Sequence, residues 1–353
     1  MDRQQTKLRR FLISTALAVI VTGAVGHAQS GPVDAGSLQP SAQRVILDTD
    51  IGDDIDDAFA LALVLASPHV KLMGIVTAWG DTGLRARLAE RFLCETGEAN
   101  IPLFAGVPTK SKTVFTQRKW AQASSAFKQP DAGAGIDFIL KTIRRYPNQI
   151  TLIAIAPLSN IGALIDKDPV TFRKLKKVVL MGGSIRRGYD YLGQPADKPS
   201  AEYNIHMDVA SANKLLTSGV PIFMLPLDST QLNLNAAKRT QLFGKKTPLT
   251  SVLMQLYSEW SASTKRRTPV LFDAMAVAYD LNPKLCPMTP MRLQVDQTGF
   301  TRVIKGPPNV NVCMKSNSEE FFSFYIPRIL NAHGKRETSR SLCTGTSSHG
   351  GHQ

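Results

Sequence analysis

Short β-rich runs and helical patterns alternate along most of this chain, and that alternation constrains the fold more than any other feature. Val45-Ile46-Leu47, Leu72 to Thr77, Thr151 to Ala156, Val178 to Met181 and Pro221 to Leu225 are apolar, β-rich runs bounded by turn residues. The helical period appears between them at about Asp56–Ala66, Thr82–Thr96, Ile136–Arg145, Leu158–Ile165 and Val209–Ser218. Strands joined through helices pair in parallel, with the crossovers on the sheet faces. An α/β fold is therefore expected: an open, mainly parallel sheet with helices on both faces. A more helical stretch, Ala236 to Asp280, follows, and Met291 to Ile304 around Thr298-Gly299 reads as a hairpin. Such sheets bind ligands at the carboxyl ends of their strands, which is where chemistry should be sought.

The ends of the chain have a different character. Phe11 to Val25 is a long apolar run behind Lys7, Arg9 and Arg10, and Gly26-His27-Ala28 ends it with a small-x-small site. It is short for a membrane span, so residues 1–28 are expected to be a signal peptide and the mature chain to be periplasmic or secreted, off the membrane. Gln29 to Gln43 is a Ser/Gly/Pro-rich linker, residues 44–332 form the folded domain, and His333 to Gln353 read as a disordered tail. The formal charge is +14; removing residues 1–28, with Arg3, Lys7, Arg9 and Arg10 against Asp2, leaves +11. The basic residues are scattered, with no recurring aromatic-basic motif, so no nucleic-acid partner is expected. The cysteines (Cys94, Cys286, Cys313 and Cys343) lack metal-type spacing. Export permits disulfides, and the apolar settings of Cys94 and Cys313 suit buried thiols equally well.

In this cationic chain, six of the ten residues from Asp48 to Asp57 are aspartates, placed where the first strand gives way to a helix. Such a knot of like charge is costly unless a cation sits in it, and short carboxylates suit Ca²⁺ or Mg²⁺. A helix dipole accounts for Asp54, Asp56 and Asp57 but not for Asp48 and Asp50. An EF-hand is excluded by register: with Asp48 as position 1, the sixth residue is Asp53 and the twelfth is Phe59.

The segment Asp48-Thr-Asp50-Ile-Gly52-Asp53-Asp54-Ile-Asp56-Asp57-Ala58 resembles the signature of the inosine-uridine-preferring nucleoside hydrolases. The resemblance continues in order through Gly80-Asp81-Thr82, Ala156-Pro157-Leu158-Ser159-Asn160, Met181-Gly182-Gly183, Ala201-Glu202-Tyr203-Asn204-Ile205, Pro226-Leu227-Asp228 and Phe272-Asp273-Ala274. It implies a Rossmann-like sheet, a ribonucleoside substrate, Ca²⁺ as cofactor, and a homodimer or homotetramer. By the same resemblance Asp57, Asp50 and Asp273, with the carbonyl of Ile155, are ligands of the Ca²⁺. Asp56, Glu202 and Asn204 hold the ribose hydroxyls. Asp50 is also the general base on the water that attacks, and Asp81, where the family more often has Asn, helps place that water. A carboxylate-lined pocket suits the positive sugar character that develops as an N-glycosidic bond breaks. No nucleophile motif of the Gly-x-Ser-x-Gly kind is present.

The chain departs from the family pattern at three further points. Phe272 stands where many members carry a proton-donating His, and a phenyl ring donates no proton. Trp79, Tyr257, Trp260 and Phe272 are candidates to line a base pocket. Two extra residues lie between Gly52 and the Asp56-Asp57 pair, and the Asn expected upstream of Glu202 has no clear counterpart beyond Gln194 or Asp197. Two other readings compete. Asp48-Thr-Asp50 after a strand resembles the nucleophile motif of haloacid-dehalogenase-type phosphatases, but Gly52 replaces the usual Thr or Val and the Lys motif is missing. A periplasmic nucleoside or sugar receptor with weak catalysis is the other.

Overall fold

The computed structural model describes residues 42–123, 133–190 and 197–332. The expected signal peptide, the tail, Tyr191, Gln194 and all but the last two residues of the expected linker lie outside them.

The strands are β1 (Gln43–Thr49), β2 (Val70–Thr77), β3 (Leu103–Ala105), β4 (Ile150–Ala154), β5 (Lys177–Met181), β6 (Ile222–Leu225), β7 (Met288–Met291), β8 (Leu293–Val295), β9 (Thr301–Val303) and β10 (Val310–Cys313). Eight of them form one sheet in the order β3-β2-β1-β4-β5-β6-β10-β7. Every neighbouring pair is parallel except β7, which runs antiparallel to β10 at the edge. The expected α/β class is what is found. β8 and β9 form a separate antiparallel hairpin, as read around Thr298-Gly299. Three strands of the main sheet were not anticipated. β3 has only three residues, β10 follows a Gly-Pro-Pro segment, and β7 contains Pro290, tolerated because the strand is an edge.

The helices are α1 (Asp56–Leu65), α2 (Thr82–Thr96), α3 (Arg118–Gln122), α4 (Ala134–Arg145), α5 (Ser159–Lys167), α6 (Pro169–Phe172), α7 (Tyr203–Met207), α8 (Val209–Leu216), α9 (Leu227–Thr230), α10 (Ala236–Gly244), α11 (Pro248–Thr264), α12 (Phe272–Leu281) and α13 (Ser318–Leu330). Alternating strand residues feed two cores, as the two-residue period of a strand requires. Val45 and Leu47 of β1 join Ile75, Ile153 and Val179 under α1, α2, α11, α12 and α13. Ile46 points the other way and packs with Val76, Leu152, Val178 and Leu180 against α4, α5 and α8. Burial on both faces explains why the central strands are continuous apolar runs. Cys286 and Cys313 form a disulfide across a Cα–Cα distance of 5.8 Å, which decides the open question for Cys313.

Candidate active site

The site is built from the strand ends upward. Asp48, inside β1, is fully buried; its Oδ1 accepts a hydrogen bond from Asn160 Nδ2 at 2.6 Å. Asn160 also donates to the Thr77 carbonyl at 3.1 Å and accepts from Val107 N at 2.8 Å, so one side chain of the Pro-Leu-Ser-Asn motif ties together the ends of β1 and β2. Burial pushes the Asp48 carboxyl up to about 7, with the Asn160 hydrogen bond opposing it. Next, Thr49 Oγ1 donates to Asp57 Oδ1 at 2.5 Å and accepts from Ile51 N at 3.2 Å, which sets the direction of the turn. Gly52 has φ +122° and meets the Phe115 ring; a Cβ there would lie 2.2 Å from Phe115 Cζ, so no other residue fits.

A cavity of about 320 Å³ opens at these strand ends. Of the residues expected to act, Asp50, Asp56, Asp57, Ile155, Glu202, Asn204, Phe272 and Asp273 line it together, although they come from four separate stretches of chain. Asp53, Asp54, Thr113, Met181, Tyr189, Tyr203 and His206 complete most of the wall. Glu202 caps α7: its carboxylate accepts from Asn204 N at 3.0 Å, Ile205 N at 3.1 Å and, from the end of β5, Gly183 N at 2.8 Å. Asn204 Nδ2 donates to the Met181 carbonyl at 3.1 Å, so the Met-Gly-Gly and Glu-Tyr-Asn motifs brace each other. Asp228 of the Pro-Leu-Asp motif accepts from Ile185 N and Arg186 N, both at 2.8 Å, and shapes the neighbouring turn.

Four of the expected residues are placed elsewhere. Asp81 caps α2, accepting from Leu84 N at 2.9 Å, and lies outside the cavity wall. Trp79 is buried beside the turn with φ +62°, and it too lies outside the wall. Trp260 is fully buried on the core side of α11, and Tyr257 packs against it and Phe243 while donating to the Arg267 carbonyl at 2.8 Å. Of the four aromatic candidates, the wall contains Phe272 alone, whose ring meets Tyr189 edge-on with centroids 6.0 Å apart. Asp197 is exposed and absent from the wall.

The electrostatics of the wall are lopsided. Asp50, Asp56, Asp57 and Asp273 are all buried, and each is held well above the usual carboxylate range, first by burial and then by the negative charge of its neighbours. Asp56 and Asp273 are close enough to hydrogen-bond to each other. Glu202 is also raised by burial, against the pull of its three backbone donors. Oxygens of Asp56, Asp57 and Asp273 all lie within 4.8 Å of one another, a grouping that one hard cation can bridge. Asp50 shares the cavity but not that trio, whereas Asp56, expected on the sugar, is part of it. The donor set therefore fits a divalent ion: oxygen only, anionic, convergent and short of countercharge.

Arg85, a buried cation, has no place among the expected site residues. It is 1% exposed, pairs with Asp53 at 2.7 Å, and donates to the backbone of the aspartate turn. A signal for it existed: Arg85 falls on the apolar face of α2 with Leu88, Ala89 and Phe92, where a lone charge demands a buried partner.

An open, parallel α/β sheet carrying a carboxylate-built, cation-suited pocket at its strand ends defines a class of ligand-binding or hydrolytic domain. The comparisons make the class specific. The model of the inosine-uridine preferring nucleoside hydrolase family matches residues 45–323, and the chain belongs to that family. It is a hydrolase acting on the N-glycosyl bonds of nucleosides. It is 28% identical over 270 residues to the pyrimidine-specific ribonucleoside hydrolase RihB of Escherichia coli, covering 72% of this chain and 83% of that one. An uncharacterised protein of Schizosaccharomyces pombe is 28% identical over 314 residues, 81% of this chain and 98% of its own length. Among solved structures, a purine-preferring ribonucleoside hydrolase from Gardnerella vaginalis shares the fold, with TM-score 0.70, 22% identity, and coverage of 84% and 99% of the two chains.

Proposed function

We propose that this protein is an exported, Ca²⁺-dependent ribonucleoside hydrolase that releases ribose and free base. The observation that carries the reading is the convergence of Asp50, Asp56, Asp57, Asp273, Glu202 and Asn204 on one cavity. Asp50, Asp57, Asp273 and the Ile155 carbonyl are the proposed ligands of the ion, with Asp56 near enough to share it. When bound, Ca²⁺ would offset the carboxylates' repulsion and raise the acidity of nearby water.

The chain's own residues do the rest. Glu202 and Asn204, locked by backbone hydrogen bonds, present fixed polar groups to the ribose hydroxyls, and Asp56 does so from the aspartate turn. The Asp50 carboxylate takes the proton of the attacking water as its oxygen bonds to C1′ of the sugar. The glycosidic C–N bond breaks, its electron pair leaves with the base, and the surrounding carboxylates stabilise the positive sugar in between. Phe272 offers the departing base a face to stack on and no proton. Export is supported by the apolar run behind Lys7, Arg9 and Arg10.

A reducing-sugar assay across purine and pyrimidine ribosides tests this. Ribose release is expected, lost with EDTA and restored by Ca²⁺. p-Nitrophenyl riboside, whose leaving group needs no acid, should be cleaved about 10²- to 10⁴-fold faster than inosine or uridine, the usual worth of general acid catalysis. Stoichiometric riboside binding without ribose release would instead make the protein a receptor. Release of phosphate from p-nitrophenyl phosphate would favour the phosphatase reading.

A further inference from the structure

The turn that carries Asp50, Asp56 and Asp57, read from the sequence as two residues longer than the family pattern, is braced from outside as well as by its own Thr49. Three of its carbonyls are held by the segment that passes above it. Thr116 Oγ1 donates to the Asp53 carbonyl at 2.7 Å, Gln117 N to the Gly52 carbonyl at 3.2 Å, and Gln117 Nε2 to the Asp54 carbonyl at 2.7 Å. A further set of bonds to the turn comes from Arg85 of α2. Arg85 Nη1 donates to the carbonyls of Asp50 and Ile51, and Nη2 pairs with Asp53 Oδ2 at 2.7 Å. Arg85 Nε donates to the Trp79 carbonyl at 2.8 Å, where the backbone is left-handed, and the guanidinium lies 5.4 Å from the centre of the Phe115 ring that seals Gly52.

We propose that Arg85, anchored by Asp53, is the positioning residue that shapes this lengthened turn so that Asp50, Asp56 and Asp57 face the cavity. Asp53 is one of the three residues between Gly52 and Asp56, so the lengthened segment carries its own anchor. The planar fork matters as much as the charge: one nitrogen reaches two backbone carbonyls while another reaches the carboxylate, a geometry that an ammonium does not reproduce. The proposal rests on the Ca²⁺-dependent reading above.

Two roles for Arg85 predict opposite signs. If it were only a countercharge, removing it would leave the carboxylates more negative and Ca²⁺ would bind more tightly. If it positions the turn, removing it or its fork disperses the carboxylates and Ca²⁺ binds more weakly. Full-length Arg85→Lys, Arg85→Gln and Asp53→Asn should each be titrated with Ca²⁺ alone by calorimetry, with circular dichroism to check folding, and assayed for ribose release. Expected are a 10-fold or greater weakening of Ca²⁺ binding in Arg85→Lys despite the retained charge, a larger loss in Arg85→Gln, and a several-fold loss in Asp53→Asn. Turnover should fall at saturating Ca²⁺ by at least 10-fold in Arg85→Lys, with a smaller change in KM. Tighter Ca²⁺ binding by Arg85→Gln, or wild-type affinity and turnover in Arg85→Lys, overturns the proposal. If both Arg85 variants fail to fold, Asp53→Asn decides: wild-type Ca²⁺ affinity there overturns it. Should the wild-type protein neither bind Ca²⁺ nor release ribose, the functional reading fails whatever the variants do.

Discussion

Helix α12 carries a buried aspartate at each end, and the two are treated in opposite ways. Asp280, in its last turn, sits at the amino ends of the strands with an ion pair to Lys177 at 2.8 Å and a hydrogen bond from Gln43 Nε2 at 2.6 Å. Asp273, in its first turn, faces Asp50, Asp56 and Asp57 at the carboxyl ends. Both are about 4% exposed, so burial alone does not separate them. Partners do. A buried carboxylate that serves the fold brings its countercharge with it, while a buried set left mutually repulsive is a place kept for a cation from outside.

The widest gap between the two ends should appear in turnover. Asp50→Asn removes the proposed base but keeps an oxygen beside the ion, so ribose release should fall by at least 100-fold while riboside binding stays measurable. Asp280→Asn should leave kcat/KM within about 2-fold, since it lies at the opposite end of the sheet. A fall of under 100-fold in Asp50→Asn removes Asp50 from the base role; a large loss in Asp280→Asn breaks the division between the ends.

Much of this was legible in the chain itself, for identifiable reasons. The central strands are apolar on both faces, and α2 begins at Thr82 and ends at Thr96 as its period implied. The aspartate cluster was legible because like charges at a strand end have no cheap structural explanation. What misled were residues whose type says nothing about direction. Trp260 and Tyr257 are aromatic and follow the site motifs, yet Leu249, Val252, Leu253, Leu256 and Trp260 share one spacing on α11 and pack inward together. Asp81, expected to help place the water, has a carboxylate that accepts from Leu84 N as the cap of α2. Strands of three or four residues, such as β3 and β10, are held by neighbours far along the chain and leave no local period to read.

The pH dependence of stability should sharpen the contrast next. Asp48 is raised to about 7, and Asp50, Asp56, Asp57 and Asp273 move in the same direction. A carboxyl raised in the folded state binds more protons folded than unfolded, so stability is greatest below the unfolded value near 4 and is lost as pH rises toward the folded one. Between about pH 5 and 7 the Ca²⁺-free protein should therefore lose stability, by about 2 kcal/mol from Asp48 alone. Ca²⁺ should recover about 2.7 kcal/mol at 100 times its Kd. Asp273→Asn should raise the melting temperature of the Ca²⁺-free protein, by relieving repulsion, and abolish most of the rise that Ca²⁺ produces. A melting temperature that increases from pH 5 to 7 in EDTA would count against a carboxylate set that outnumbers its countercharge.

Asp280→Asn should show the opposite pattern and the smallest effect. The ion pair it breaks is only partly buried: the Lys177 side chain is 15% exposed against 1% for the Asp280 side chain, and the ammonium also lies 5.3 Å from the Phe223 ring centre and 5.7 Å from that of Tyr279. Removing one partner of a fully buried pair costs about 3–5 kcal/mol. With water and two aromatic faces still available to Lys177, about 2–3 kcal/mol is expected. Unlike Asp273→Asn, this loss should be equal with and without Ca²⁺, because Asp280 lies at the opposite end of α12 from the carboxylate trio. Denaturant unfolding in EDTA and in excess Ca²⁺ gives the comparison directly. A loss that depended on Ca²⁺ would mean that α12 couples its two ends, and the aspartates at either end could no longer be assigned separate work.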